Sequence, residues 1–204
     1  EAQNQFGLDE PAVGTFRASQ FIASGASIPR VNRAGVTIAF EPDLLVTVGD
    51  DAINEAETLE DVAAALDSVA AFAEVPQLRD LPDDGSKATI FIATNAGAWL
   101  GVIGDTLPAG GDDFLDRLAS MRVVVKDGSG SILSQNVGRQ LMGHPLRPAL
   151  FLIEKLRQQG KRLHPGDVIS LGSFAPPLSD PSGTYVVTYE GLADNPLHVE
   201  VNFK

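Results

Sequence analysis

The sequence predicts a single domain of the α+β class, mostly β, in which a mixed β-roll or sandwich packs against a few helices. Three observations favour this class. Many short apolar runs rich in β-branched residues are separated by glycine and proline, two stretches have helical spacing, and no internal repeat divides the chain. The 204 residues suffice for one well-buried core, so we treat 1–204 as one domain.

The predicted strands begin after a loop-rich N-terminal segment, residues 1–35, in which glycine and proline punctuate short apolar pieces. Val36–Val48 follows as a strand or strand pair buried on both faces. Later strands are predicted at Arg122–Lys126, Asp167–Phe174, Gly183–Tyr189 and His198–Phe203. Asp127–Gly130 has the composition of a hairpin turn.

The clearest predicted helix is Thr58–Ala73, whose apolar residues recur at helical spacing. It begins with a plausible N-cap and has acids in its first turn, and Pro76 would stop it just after Glu74. Two further helices are predicted, Phe114–Met121 and Arg147–Gln159.

The composition excludes several classes of function. The chain has 27 Asp and Glu against 15 Lys and Arg, so its field would repel nucleic-acid phosphates. No apolar run approaches the length that crosses a bilayer, so we expect no membrane partner. The lack of cysteine excludes disulfides, thiolate nucleophiles and cysteine-based metal sites.

Two carboxylates inside an apolar strand are the most unusual local feature. Glu41 and Asp43 are two residues apart and would project from the same face. Buried side by side they would repel each other and lose hydration, and a hard cation such as Mg²⁺ or Mn²⁺ would resolve this cost. Pro42 between them predicts a local irregularity or an edge. The alternative is a strand end or tight turn at which both acids face water.

Five stretches, in order along the chain, carry a family resemblance: Ala2–Gly14, Phe40–Leu44, Ala73–Val75, Leu141–Leu146 and Leu163–Ser173. They are similar to the patterns AxQ…GVDEPxxG, VExEIAF, a helix-end LEI, LGHPL and LxxGDxxxxGS, with Asp43 in place of the second glutamate of VExEIAF. Together they resemble the hydratase/decarboxylase branch of the fumarylacetoacetate hydrolase superfamily. That branch includes 2-keto-4-pentenoate hydratases, 2-oxohept-4-ene-dioate hydratases and 4-oxalocrotonate decarboxylases.

The resemblance implies the fold of the fumarylacetoacetate hydrolase C-terminal domain and a Mg²⁺ or Mn²⁺ cofactor. The implied metal ligands are Glu41, Asp43 and Glu74. The implied enzyme is a hydro-lyase or carboxy-lyase of aromatic catabolism. It would act on a small 2-oxo or 2-hydroxydienoic acid through a metal-stabilised enolate.

The resemblance also implies roles for three polar residues. Asp9 would transfer protons, and Asn95 and Ser173 would bind substrate. A loop acid in an Asx turn is the alternative for Asp9. The family further suggests a homo-oligomer in the cytoplasm, or in the periplasm if a signal peptide precedes Glu1.

The chain departs from the family patterns in ways that leave two alternative functions open. The family's G-x-K-x-G lysine lies upstream of Glu1, and its DNAS, TGS and VDSR segments lose a serine, a threonine and an acid at Gly97, Leu171 and Gln77. A non-catalytic ligand-binding relative would fit these losses. A C–C bond hydrolase of the acylpyruvate type would need a His–acid pair near the metal. His144, between Gly143 and Pro145, is predicted to be structural.

Overall fold

The computed structural model describes Leu8 and residues 10–30, 33–81 and 85–204. Within these residues the chain forms two β-sheets and four α-helices, so the fold is α+β and mostly β, as predicted. The strands are β1 (Phe21–Ala23), β2 (Ser27–Ile28), β3 (Val36–Val48), β4 (Leu66–Val75), β5 (Gln77–Arg79), β6 (Leu100–Pro108), β7 (Arg122–Asp127), β8 (Ile132–Val137), β9 (Val168–Ser170), β10 (Leu178–Ser179), β11 (Gly183–Glu190) and β12 (Leu197–Phe203). The helices are α1 (Leu59–Ala64), α2 (Lys87–Ala93), α3 (Phe114–Ser120) and α4 (Arg147–Gln158). None of these described helices has both the length and the apolarity needed to cross a membrane.

The first sheet is organised around the long strand β3. This strand pairs antiparallel with β4, β5, β9 and β10. Strand β4 pairs antiparallel with β6, and β6 pairs parallel with β1. The second sheet has the order β2-β12-β11-β7-β8, with β2 parallel to β12. Strand β3 is therefore paired along one edge by β4 and β5 and along part of the other edge by β9 and β10.

Pro42 lies at a gap in this pairing. Strand β9 pairs with Leu45–Thr47 and β10 with Ala39 and Phe40, which leaves the intervening residues of β3 without a strand on that edge. The Pro42 carbonyl instead accepts a hydrogen bond from the Phe174 amide at 2.9 Å. The predicted irregularity is confirmed: a proline is tolerated where no ladder bond is required of its nitrogen.

The main core fills the space between the two sheets. Val46 and Ala71 from the first sheet and Val187 and Val199 from the second are fully buried in one apolar cluster. Because side chains alternate along a strand, the neighbours of Val46 and Ala71 point to the opposite face of the first sheet. Leu45, Ala70 and Phe72 form a smaller cluster on that face.

Tyr189 joins the two sheets at the centre of the core. Its fully buried hydroxyl donates to the carbonyl oxygens of Asp43 and Phe72, the latter at 2.9 Å. Those two residues face each other across β3 and β4. One phenol from the second sheet therefore fixes the strand pair of the first.

The predicted helix over Thr58–Ala73 is wrong in its second half. Thr58 does cap a helix, but the helix ends at Ala64 and the chain continues as β4. Val69–Ala73 is buried on both faces. A short apolar run of this kind fits a strand buried on both sides as well as it fits a helix, and the pairing with β3 and β6 decides the outcome.

Most of the other predicted elements are confirmed. Val36–Val48 forms one continuous strand, and the turn over Asp127–Gly130 joins β7 to β8. Helices α3 and α4 end within a residue of their predicted bounds. The predicted strand over Asp167–Phe174 is shorter than expected, since only Val168–Ser170 pairs with β3.

Replacing Tyr189 with phenylalanine tests the link between the sheets. Tyr189→Phe keeps the ring but leaves two buried carbonyls without their shared donor, so we expect a loss of about 1 kcal/mol in the free energy of unfolding. Urea denaturation measures this loss. Tyr185→Phe is the matched control, because the Tyr185 hydroxyl accepts a single backbone N–H, from Ser182 at 3.2 Å. A loss no larger than that of the control would contradict the assignment.

Candidate functional site

Three carboxylates share one face of the β3–β4 strand pair. Glu41 lies directly opposite Glu74 in the antiparallel register, and Asp43 lies opposite Phe72. Residues two apart on a strand point to the same side, so Glu41, Asp43 and Glu74 project together, away from the main core. The prediction that Glu41 and Asp43 share a face agrees with this register. The expectation that Glu74 lies at a helix end is wrong, because it lies within a central strand.

These carboxylates are not simply solvated. Asp43 is fully buried, and Glu41 and Glu74 are partly buried. Burial, reinforced by the charge of Asp43, raises the pKa of Glu41 to about 7. Burial also raises the pKa of Asp43 to about 7, although hydrogen bonds to its carboxylate act in the opposite direction. Burial and the charges of Asp43 and Glu41 raise the pKa of Glu74 well above its ordinary value.

Among the described residues, no lysine or arginine contributes to the pKa shift of Glu41, Asp43 or Glu74. The ion pairs of Arg122, Lys155 and Arg162 are with Glu190, Glu10 and Glu55, none of which belongs to the site. Carboxylate oxygens are the donors that Mg²⁺ and Mn²⁺ prefer. In charge and in donor type, Glu41, Asp43 and Glu74 therefore fit a hard divalent cation.

The positions of the carboxylate side chains match a metal site less well than their charge does. Among the described residues, no three acidic or histidine side chains are grouped closely enough to hold a metal ion as they stand. The Asp43 carboxylate is turned toward protein donors. Its Oδ1 accepts from the Leu44 amide at 2.5 Å and from the Gly172 amide at 2.9 Å, and its Oδ2 accepts from the Ser170 hydroxyl.

Ser170 is a site residue that sequence reasoning missed. It pairs with Leu45 across β9 and β3, and this places its side chain on the face that carries Asp43. The family pattern directs attention to Leu171, whose side chain is buried in the main core. The hydroxyl that reaches the site therefore belongs to Ser170, one residue before Leu171. Only the pairing of β9 with β3 reveals this, since nothing local in the sequence distinguishes Ser170.

An apolar wall adjoins the carboxylates. Phe72 lies on the same face, and its ring centroid is 6.5 Å from that of Phe16 and 6.2 Å from that of Phe21. Gly101, opposite Glu74 on β6, makes room for these rings. A Cβ atom there would lie 2.5 Å from the Phe72 ring. The face therefore combines anionic oxygens with an aromatic surface.

The predicted substrate-binding residues have other partners. The Asn95 side-chain amide accepts from the Thr15 backbone N–H and donates to the Thr15 carbonyl, both at 2.8 Å. The Ser173 hydroxyl donates to the Ala175 carbonyl at 2.6 Å. Ser173 does lie beside β3, because Gly172 before it bonds to Asp43 and Phe174 after it bonds to Pro42. Asp9 lies outside the described residues, so its catalytic role stays a prediction.

The structural role predicted for His144 is confirmed. Its Nδ1 accepts from the Leu146 amide at 3.1 Å, so Nε2 carries the proton and faces the Leu115 carbonyl at 3.1 Å. The other two histidines form exposed pairs with aspartate, His164 with Asp51 and His198 with Asp105, each at 3.4 Å.

Comparison with known proteins gives a consistent picture. No model of a protein family matches the chain. The chain is 27% identical over 191 residues to a 2-keto-4-pentenoate hydratase from Burkholderia vietnamiensis and 29% identical over 191 residues to one from Paraburkholderia phymatum. Each match covers 93% of this chain and 70% of the relative.

Two solved structures have a similar fold. The 4-oxalocrotonate decarboxylase from Pseudomonas putida G7, complexed with magnesium and adipate, superposes with a TM-score of 0.76 at 20% identity and covers 99% of this chain and 73% of that one. The fumarylpyruvate hydrolase from Pseudomonas aeruginosa, in complex with Mn²⁺ and pyruvate, has a TM-score of 0.57 at 13% identity and covers 90% and 74%. The chain is thus similar in sequence to 2-keto-4-pentenoate hydratases and shares its fold with the 4-oxalocrotonate decarboxylase and the fumarylpyruvate hydrolase. These similarities agree with the resemblance of its motifs to the hydratase/decarboxylase branch of the fumarylacetoacetate hydrolase superfamily.

Proposed function

We propose that this protein is a divalent-metal-dependent lyase, a hydratase or decarboxylase, that acts on a small 2-oxo or 2-hydroxydienoic acid. The observation that carries the proposal is the set of three carboxylates on one face of β3 and β4, with no lysine or arginine beside them in the described part of the chain. The hydratase relatives and the magnesium-bound decarboxylase support it. On the family resemblance alone, we place the protein in the cytoplasm.

The position of each residue indicates the role that it would have in the proposed reaction. Glu41 and Glu74 approach from adjacent strands and are partly exposed, so they would hold Mg²⁺ or Mn²⁺ at the rim, with the buried Asp43 behind them. The bound cation would supply Lewis-acid chemistry toward the 2-oxo acid. Phe72 and its aromatic neighbours would contact the carbon chain of the substrate and exclude water from it.

The proposed substrate-binding side chains, Ser173 and Asn95, would have to exchange their present hydrogen bonds in order to bind a ligand. Ser173 would bind substrate by exchanging its bond to Ala175 for one to the ligand, and Asn95 would have to release Thr15. Asp9 remains the proposed proton-transfer group.

The side chains of Ser173 and Asn95 are already hydrogen-bonded within the protein, which favours a second candidate function. This candidate is a relative that binds a cation or a small acid without turnover. A C–C bond hydrolase has less support, because both described His–acid pairs are exposed and neither includes Glu41, Asp43 or Glu74.

Metal binding is the first test of the proposal. Isothermal titration should detect Mg²⁺ or Mn²⁺ binding to the protein, and Glu41→Gln or Glu74→Gln should weaken it by at least the roughly 10–100-fold typical of changes that only support a ligand. Glu60→Gln, an exposed glutamate in α1, is the matched control and should bind as the unaltered protein does. No binding by the unaltered protein, or equal binding by Glu41→Gln, would eliminate the metal site.

The raised pKa values predict a pH dependence of stability without metal. An acid whose pKa is higher in the folded state stabilises the fold while protonated, and that stabilisation is lost as the pH rises from the unfolded value near 4 through about 7. In EDTA, Glu41→Gln should therefore become more stable relative to the unaltered protein as the pH rises from roughly 5 to 8. Urea denaturation across this range measures the difference. Glu60→Gln, at an exposed position, is the control. A change for Glu41→Gln no larger than that of this control would refute the burial argument.

Turnover separates the candidate functions. We expect a Mg²⁺- or Mn²⁺-dependent loss of ultraviolet absorbance with 2-hydroxypenta-2,4-dienoate or 4-oxalocrotonate, and we expect Glu74→Gln to abolish it. Acylpyruvates should be stable in the same assay. Cleavage of an acylpyruvate would indicate the hydrolase. Metal binding without turnover of any member of the panel would indicate the non-catalytic relative.

A further inference from the structure

The hydrogen bonds around Asp43 leave little of its carboxylate free. A carboxylate offers about four lone-pair positions. On Oδ1 both are used, by the Leu44 and Gly172 amides at 2.5 and 2.9 Å. On Oδ2 one is used, by the Ser170 hydroxyl. These three bonds leave one position on Oδ2, since the Leu171 amide, which also lies near the carboxylate, donates to the Leu44 carbonyl at 2.9 Å.

Ser170 differs from the other two donors in kind. The Leu44 and Gly172 amides belong to the backbone and would hold Oδ1 whatever side chains surrounded it. Ser170 is the side-chain donor to Asp43 among the described residues, and it alone of the three bonds to Oδ2. Because the carboxylate is planar, the two amides on Oδ1 and the Ser170 hydroxyl on Oδ2 together fix its rotation about the Cβ–Cγ bond. Ser170 is the one of these donors that a side-chain substitution removes.

We infer that Ser170 is a positioning residue that aims Oδ2 of Asp43 at the cation held by Glu41 and Glu74. This inference rests on the proposed metal-dependent function and adds a residue to that site. Ser170 itself does not touch the metal or the substrate. It acts through Asp43, which could then offer the cation a single oxygen and could not bind it through both.

The fold gives Ser170 a defined position for this role. Strand β9 pairs with β3 through Leu45–Thr47, immediately after Asp43. The Leu171 amide then bonds to the Leu44 carbonyl at 2.9 Å, so the chain remains against β3 beyond the strand. Bonds on both sides of Ser170 thus set its distance from Asp43. Such outer partners of metal ligands orient them and raise metal affinity.

Metal titration of Ser170 variants, without substrate, tests the inference. Ser170→Ala should weaken Mg²⁺ and Mn²⁺ binding by roughly 10–100-fold. Ser170→Thr keeps a hydroxyl on a residue suited to strands and should bind within a few-fold of the unaltered protein. Ser68→Ala, on the same sheet face farther along β4, is the matched control and should leave affinity unchanged. Circular dichroism confirms that each variant is folded.

A double-mutant cycle with Asp43→Asn separates positioning from a general effect on the fold. If Ser170 acts through the Asp43 carboxylate, Ser170→Ala should cost much less affinity in the Asp43→Asn background than in the unaltered protein. Equal losses in both backgrounds, or equal losses for Ser170→Ala and Ser170→Thr, would overturn the inference. So would unchanged affinity in Ser170→Ala. Failure of the unaltered protein to bind either metal would instead overturn the proposed function itself.

Discussion

The pairing of β3 with β4 is the constraint on which the site depends. It places Glu41 directly opposite Glu74, with Asp43 two residue pairs further along on the same face. Like charges directly opposite each other on adjacent strands destabilise a sheet, and burial adds to the cost. Two things can lower this cost: protons, which the raised pKa values allow near neutral pH, or a divalent cation. The strand register therefore couples folding to protonation or metal binding.

The same two strands carry the core on their other face. Alternation sends Val46 and Ala71 into the space between the sheets while Asp43 and Phe72 face away. Tyr189 reaches from the second sheet to the backbone carbonyls of this facing pair. Displacement of β4 relative to β3 would thus disturb the core and the carboxylates together. The stability of the core is what holds the like charges in register.

Local sequence features predicted much of this arrangement, and their failures share a cause. Glu41-Pro42-Asp43 identified the carboxylate strand because alternation and proline chemistry act over a few residues. The apolar run before Glu74 fits either periodicity, so the local pattern wrongly predicts a helix end at Glu74. Its position opposite Glu41 is a property of pairing between distant segments, which no local pattern encodes.

Ser170 and Asn95 both show that local sequence does not reveal the partners of a side chain. Ser170 has no distinguishing neighbours in the sequence, yet the register of β9 brings its hydroxyl to Asp43. The resemblance predicts that Asn95 binds substrate, yet its side-chain amide is bonded to Thr15, eighty positions away. Motif similarity indicates which loops lie near a site. The backbone partners available to each side chain decide whether it is free to act there.

The three carboxylates comprise one fixed anion, Asp43, and two adaptable ones, Glu41 and Glu74. This division bears on how tightly the proposed metal site would hold a cation. Asp43 is buried and bonded to three donors, so its orientation is set when the protein folds. Glu41 and Glu74 are longer and partly exposed, and each would lose up to about 2 kcal/mol of side-chain entropy on being fixed. A ligand ordered in advance avoids that loss at the moment of binding. The chain has an aspartate where the family pattern has its second glutamate, and the shorter side chain is the one whose carboxylate the surrounding strands can hold.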